Sequence, residues 1–149
     1  MTFALDLAKF VEKAGKRADE AVSGIVLGLH AKVDARSPVG DATYWKSPPP
    51  AGYVGGHFRG NWQLGVGSVP GGTLARIDPD GSSVRAEFSA TVPEKTTGNV
   101  FYIANNLPYA RRLEDGWSRQ APRGMVGLAM AEISDVVDQA VTKAKAVHP

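Results

Sequence analysis

The sequence predicts an α+β fold: a long N-terminal helix, an antiparallel sheet of about four strands, a short helix and a long C-terminal helix, with the helices covering one face of the sheet. Three observations carry this expectation. Apolar residues recur at helical steps at both ends of the chain, they alternate in its middle, and Gly and Pro punctuate the passages between. A chain of 149 residues fits one domain, 1–149, with a core of its own.

In the first element Phe3, Leu7, Phe10, Ala14, Ala18, Ala21, Ile25, Leu29 and Val33 follow one another at steps of three and four. A helix over these residues would span roughly 45 Å, more than the width of a compact domain of this size, so one end is expected to project or to pack on a neighbour. Ser37-Pro38 ends it, because the residue before a proline is pushed out of the helical region. Gly24 and Gly28 read as a place of close helix packing. The longest apolar stretch, Ala21 to Leu29, falls far short of the ~20 residues that cross a bilayer, and no membrane contact is expected.

Residues 39–56 hold Pro48-Pro49-Pro50 and the aromatics Tyr44, Trp45 and Tyr53 without periodicity. They read as a long Pro/Gly-rich loop suited to a contact that orders on assembly. Phe58, Trp62, Leu64 and Val66 mark a strand, and Leu74 to Ile77 a second, short one. Asp78-Pro79-Asp80-Gly81 has the residues of a tight turn, and Val84, Ala86, Phe88 and Ala90 alternate after it, which together predict a hairpin. Asn99 to Asn105 supplies a further strand. Pro108 opens a short helix through Leu113 that stops at Gly116, and Pro122 starts a last helix whose face is Met125, Ala129, Ile133, Val136, Ala140, Ala144 and Val147.

Composition narrows the chemistry. The 17 Lys and Arg are set against 15 Asp and Glu and are scattered among them, unlike the clustered charge that neutralises phosphates. The absence of Cys removes disulfides, thiol nucleophiles and thiolate metal sites. His30, His57 and His148 lack ligand spacing, and no Ser lies in a nucleophile turn. The Gly65 to Gly72 run lacks the Lys-Ser/Thr ending of a phosphate loop, and Asp78 with Asp80 reads as turn-forming. Glu114 and Asp115 are adjacent carboxylates near Arg111, Arg112 and Arg119, and ion pairing suits them better than a cooperating acid pair. The expectation is a protein without catalytic centre, cofactor or metal. Two alternatives are a cell-wall or carbohydrate hydrolase, motivated by Glu114, Asp115 and the aromatics, and a DNA-contacting packaging factor.

Residues 99–126 carry more information. Their run of Asn105-Asn106, Pro108-Tyr109-Ala110, Leu113-Glu114, Gly116-Trp117-Ser118, Gln120-Ala121-Pro122 and Gly124-Met125-Val126 resembles the signature of a family of tailed-bacteriophage neck and tail-completion proteins, minor tail components of lambda-like long-tailed phages. A weaker upstream resemblance is split by the loop, with Ser37-Pro38-Val39 on one side and Gly56-His57-Phe58-Arg59-Gly60-Asn61-Trp62 on the other. Asp115 stands where the family has an aromatic, and the inserted loop enlarges a connection that is normally short.

The resemblance implies a structural virion protein at the head–tail junction, made in the host cytoplasm. Its implied partners are other phage neck and tail proteins and further copies of itself as a ring or ring-associated subunit, with incidental contact to DNA in the channel. A closed ring needs two unlike faces on each subunit, and the N-terminal helix and the aromatic loop are the expected ones. The candidate assembly contacts are Tyr44, Trp45, Tyr53, Arg111, Arg112, Asp115, Trp117 and Arg119. The candidate fold-defining residues are Trp62, Tyr109, Leu113, Gly116, Pro122 and Gly124, with Trp62, Tyr109 and Leu113 expected to pack inward against the sheet.

Overall fold

The helical period at the N-terminus becomes one unbroken helix, α1, Phe3–Arg36, which ends where Ser37 turns to extended backbone ahead of Pro38. The computed structural model describes residues 2–149; the side chain of Phe3, first in the apolar series of α1, lies outside the described residues. The chain continues through β1 (Trp62–Val66), α2 (Ser82–Thr91), β2 (Phe101–Asn105), α3 (Ala110–Glu114), α4 (Val126–Ala131) and α5 (Ile133–Val147).

The α+β class and the two long terminal helices are as expected, but the sheet is smaller. Its described strands are β1 and β2 alone, paired antiparallel with Trp62 opposite Asn105 and Val66 opposite Phe101. Leu74 to Ile77 is not a strand, because side chains take up its backbone groups. Leu74 N–H donates to Asn61 Oδ1 at 2.8 Å, and Leu74 O accepts from Asn61 Nδ2 at 2.9 Å. His57 Nε2 lies 2.9 Å from the same carbonyl.

The expected hairpin after Asp80-Gly81 is also overturned, since Val84 to Ala90 belongs to helix α2. The turn residues are helix-capping residues: Asp80 Oδ1 accepts from Ser82 N–H at 2.9 Å, and Asp78 Oδ2 accepts from Val84 N–H at 2.9 Å, satisfying donors that the first turn leaves open. The alternating apolar set misled because it contains a helical pair. Val84 and Phe88, four apart, are fully buried, while Ala86 and Ala90 face solvent.

The predicted C-terminal helix is likewise two helices. Pro122 does not start it; α4 begins at Val126, and the path breaks at Glu132. There the Glu132 N–H bonds back three residues to Ala129 O at 3.2 Å, and the carboxylate reaches across to Lys32 at 2.8 Å and Arg36 at 2.6 Å on α1.

α5 lies antiparallel along α1, and glycines set how close the pair comes. A Cβ at Gly24 would meet Ala140 Cβ at 3.0 Å, and one at Gly28 would meet Val136 Cγ1 at 2.8 Å, so the G-x-x-x-G is a packing motif between these helices. The main core gathers Val33 of α1, Phe58, Trp62, Val84 and Phe88 of α2, Leu107, Ala121, Met125 and Ala129, with Leu113 packed against its edge. Among the described residues no helix is long and apolar enough to cross a membrane.

Asp34 and His30 are among the polar residues buried with this core. The Asp34 carboxylate, 2 % exposed, binds Arg59 and Arg85. His30, 1 % exposed, stacks on Phe88 with ring centroids 3.8 Å apart. Burial pushes the His30 pKa down to about 4; the nearby Asp34 carboxylate opposes this and Arg85 and Arg59 add to it. The folded protein therefore holds His30 neutral while the unfolded chain takes up a proton below its ordinary value of 6.5. Stability from this residue is complete above that pH and is lost as pH falls towards 4, by about 3 kcal/mol in all. Urea unfolding at pH 7 and pH 4 measures it: the loss should be smaller in His30→Phe, and equal losses in the two proteins would refute the assignment.

Candidate functional site

The connection after α1 folds back over the segment between β2 and α4, and the two enclose a surface cleft of about 990 Å³. Tyr44, Trp45 and Tyr53 come from the Pro/Gly-rich loop; Tyr109, Trp117 and Arg119 come from the signature segment. Two stretches of sequence separated by some fifty positions thus meet in one place.

Local chemistry explains how each wall is held. Asp41 Oδ1 accepts from Thr43 N–H at 2.9 Å and starts the 3-10 turn Ala42–Tyr44, which presents Tyr44 and Trp45. The bonds from the Thr43 backbone and hydroxyl hold the Asp41 carboxyl below its ordinary value. Trp45 and Tyr53 pack on each other with ring centroids 4.7 Å apart. Gln120 joins the walls: its amide donates to Val39 O at 2.8 Å and accepts from Val39 N–H at 3.0 Å, which pairs the loop to the signature segment as a short strand would. Gln120 was noted in the sequence only as part of the resemblance; a glutamine 81 positions from its backbone partner carries no local signal.

Tyr109 is not the inward-packed residue expected. It is 38 % exposed and lies on the cleft wall, its ring centroid 6.1 Å from that of Phe58 and its hydroxyl 3.5 Å from His57 Nδ1. Leu113 is half-buried at the core's edge and also lines the cleft, and Trp62 alone of the three is fully interior, 4 % exposed. Trp117 stands out at 73 % exposure, with the Arg112 guanidinium 5.3 Å from its ring centre. Arg111 and Asp115 are exposed and do not line the cleft.

The signature's other residues set backbone geometry. Gly116 has φ +89°, and a Cβ there would run into the carbonyl of Pro122; Gly124 has φ +77°, and its Cβ would lie 2.8 Å from Glu114 Oε1. That closeness matters because the Glu114 carboxylate accepts from the backbone N–H groups of Met125 (2.9 Å), Val126 (3.0 Å) and Gly127 (2.9 Å) at the start of α4. Burial by itself would raise the Glu114 pKa, but the three backbone donors outweigh it and the carboxyl is held below its ordinary value. Pro122 is exposed in the turn before this cap, and its backbone is what Gly116 sits against.

A lowered carboxyl contributes stability above its unfolded pKa and loses it as pH falls through the folded one. Glu114→Gln is expected to cost about 1–2 kcal/mol at pH 7. The gap to wild type should narrow at pH 3, where Glu114 itself is protonated; a gap of the same size at both values would remove the charged cap from the account.

Neither carboxylate beside the cleft, Asp41 or Glu114, is held protonated, and Glu114 is engaged in building α4. Among the described residues no group of three His, Asp or Glu is placed to hold a metal ion. What the cleft offers is aromatic surface rimmed by polar groups. No family model, curated protein or solved structure matches the chain.

Proposed function

We propose that the chain is a structural protein of a tailed-phage particle at the head–tail junction, completing the neck or tail for joining as a ring or ring-associated subunit. The observation that carries this reading is the meeting of the signature segment 105–126 with the loop aromatics in one exposed aromatic cleft. The resemblance of that segment supplies the setting, and the cleft supplies a face for a neck or tail protein. A second, unlike apolar surface lies at the far end of α1, where Leu7, Phe10 and Val11 are exposed. A ring subunit needs two such faces.

A hydrolytic reading is less well served, since its carboxylates are Glu114, occupied as a helix cap, and Asp115, outside the cleft. The test is deletion of the gene followed by electron microscopy of the lysate. Filled heads and free tails that fail to join are expected, and normally joined, infectious particles would overturn the proposal. Trp45→Ala with Trp117→Ala should give a folded protein that does not restore joining.

A further inference from the structure

The first half of α1 stands clear of the molecule. From residue 4 to residue 16 every described side chain is exposed, an arm of about 20 Å at 1.5 Å per residue. Anchoring begins just beyond it. Arg17 Nε donates to His148 O at 2.6 Å, and the Asp19 carboxylate accepts from the backbone N–H groups of Thr96 (2.9 Å) and Thr97 (2.8 Å). On the arm Leu7 is 49 %, Phe10 68 % and Val11 60 % exposed, a concentration of apolar surface with no cover among the described residues.

This surface continues an interface that already exists. Positions 7, 10, 14, 17, 21, 24 and 28 advance by alternating steps of three and four, the seam of an antiparallel or parallel coiled coil. At Gly28, Gly24 and Arg17 the seam seats Val136, Ala140 and the end of α5. Beyond the stretch that α5 covers, the same seam runs on through Ala14, Phe10 and Leu7, which are exposed and have no helix against them among the described residues. A helix running antiparallel to α1, in line with α5, would continue the packing that α5 makes along this seam.

We infer that in the isolated protein this place is taken by the arm of a second copy, the two arms pairing antiparallel about a two-fold axis. The arm is complementary to itself in that arrangement. With Leu7 of each copy against Phe10 of the other, Asp6 of one flanks Lys13 of its partner, and symmetry repeats the pair on the other side. Val11 faces Ala4 across the opposite flank. The incoming arm begins where α5 leaves off, which brings its N-terminal dipole end to the C-terminal end of α5. The two globular parts lie at opposite ends of the pair and do not meet. The same apolar surface serves as the second ring face in the proposed particle, so the self-pairing belongs to the protein before assembly and is tested on the purified chain alone.

Sedimentation of the purified full chain tests the pairing and cross-linking tests its geometry. The wild type should sediment as a dimer that dissociates on dilution, and Leu7→Asp should weaken the dimer by about a hundredfold. Asp6→Lys or Lys13→Asp alone should weaken it by roughly threefold to tenfold, and the two together should restore it. Because the chain has no Cys, single-cysteine variants report cleanly. A mixture of L7C and F10C should form a disulfide-linked dimer under mild oxidation, and L7C alone should not. A monomer at every concentration overturns the inference, as does efficient cross-linking of L7C to itself, which marks parallel helices. Loss of the dimer in Trp45→Ala would overturn it as well, by showing that the arm docks in the cleft of a neighbour.

Discussion

Asp34→Ala is expected to remove about 3–5 kcal/mol of folding stability, the loss typical of breaking a buried ion pair from one side. Its carboxylate is held by Arg59 through two bonds, Nε to Oδ1 at 2.7 Å and Nη2 to Oδ2 at 3.1 Å, and by Arg85 Nη1 at 2.7 Å. The same guanidiniums reach the turn before α2, Arg59 to Pro79 O at 2.9 Å and Arg85 to Asp80 O at 2.8 Å. Asp34 therefore fastens α1 to the chain ahead of β1 and to the start of α2. A guanidinium is charged at any pH at which the protein folds, so Arg59 keeps its charge after the carboxylate is gone. Two cations would then face each other across a site that was built around one anion. Asp34→Asn keeps the shape and some of the bonds and should lose less. Chemical denaturation measures both variants, and a loss below about 1 kcal/mol for the alanine would show that water replaces the carboxylate with little penalty.

Trp62→Ala should destabilise by a similar amount, about 3–5 kcal/mol, through the cavity left by a large buried ring. Trp62 is the first residue of β1, 4 % exposed, with Phe58 edge-on to it at 5.9 Å between centroids. Its indole Nε1 donates to Ser37 Oγ at 2.7 Å, and that hydroxyl donates in turn to Val33 O at 2.7 Å. The ring thus ties the strand to the last turn of α1. Trp62→Phe fills most of the space but leaves Ser37 Oγ without its donor, and should cost about 1–2 kcal/mol. Equal losses for Phe and Ala would mean that the hydrogen bond and not the packing carries the effect. Both residues belong to the segment 56–62 that bears the weaker resemblance or to its direct partners. Asn61, completely buried, does the same kind of work by fixing Leu74.

The helices at the two ends of the chain were legible in the sequence because an amphipathic period over many residues has one cheap solution in water, a helix with its apolar stripe covered. The stop at Ser37-Pro38, a strand within 58–67, another within 99–105 and the short helix before Gly116 follow from equally local rules, although residues 59–61 form a 3-10 turn and the first strand begins only at Trp62. Of the residues read as contact candidates, Tyr44, Trp45, Tyr53, Trp117 and Arg119 line the cleft and Arg111, Arg112 and Asp115 do not, while Tyr109 and Leu113, expected inside, line it too. The meeting of the two segments was not legible, since Gln120 bonds Val39 across 81 positions and nothing local announces it.

Where the reading failed, a nonlocal partner decided between two locally acceptable structures. Val84 to Ala90 satisfies a strand pattern and a helical one, and the choice fell to burial of Val84 and Phe88 against His30 and the rest of the core, with Asp78 capping the helix. Leu74 had the residues of a strand, and Asn61 took its hydrogen bonds. Tyr109 had the character of a core residue, and Phe58 and Leu107 filled the interior ahead of it. The sequence by itself determined the α+β class and the helical ends, because those depend on neighbours a few residues apart, and it supplied the aromatic residues of the loop. Tertiary structure alone decided the size of the sheet, the burial of Asp34 between two arginines and the union of loop and signature in one cleft, because each depends on groups that only folding brings together.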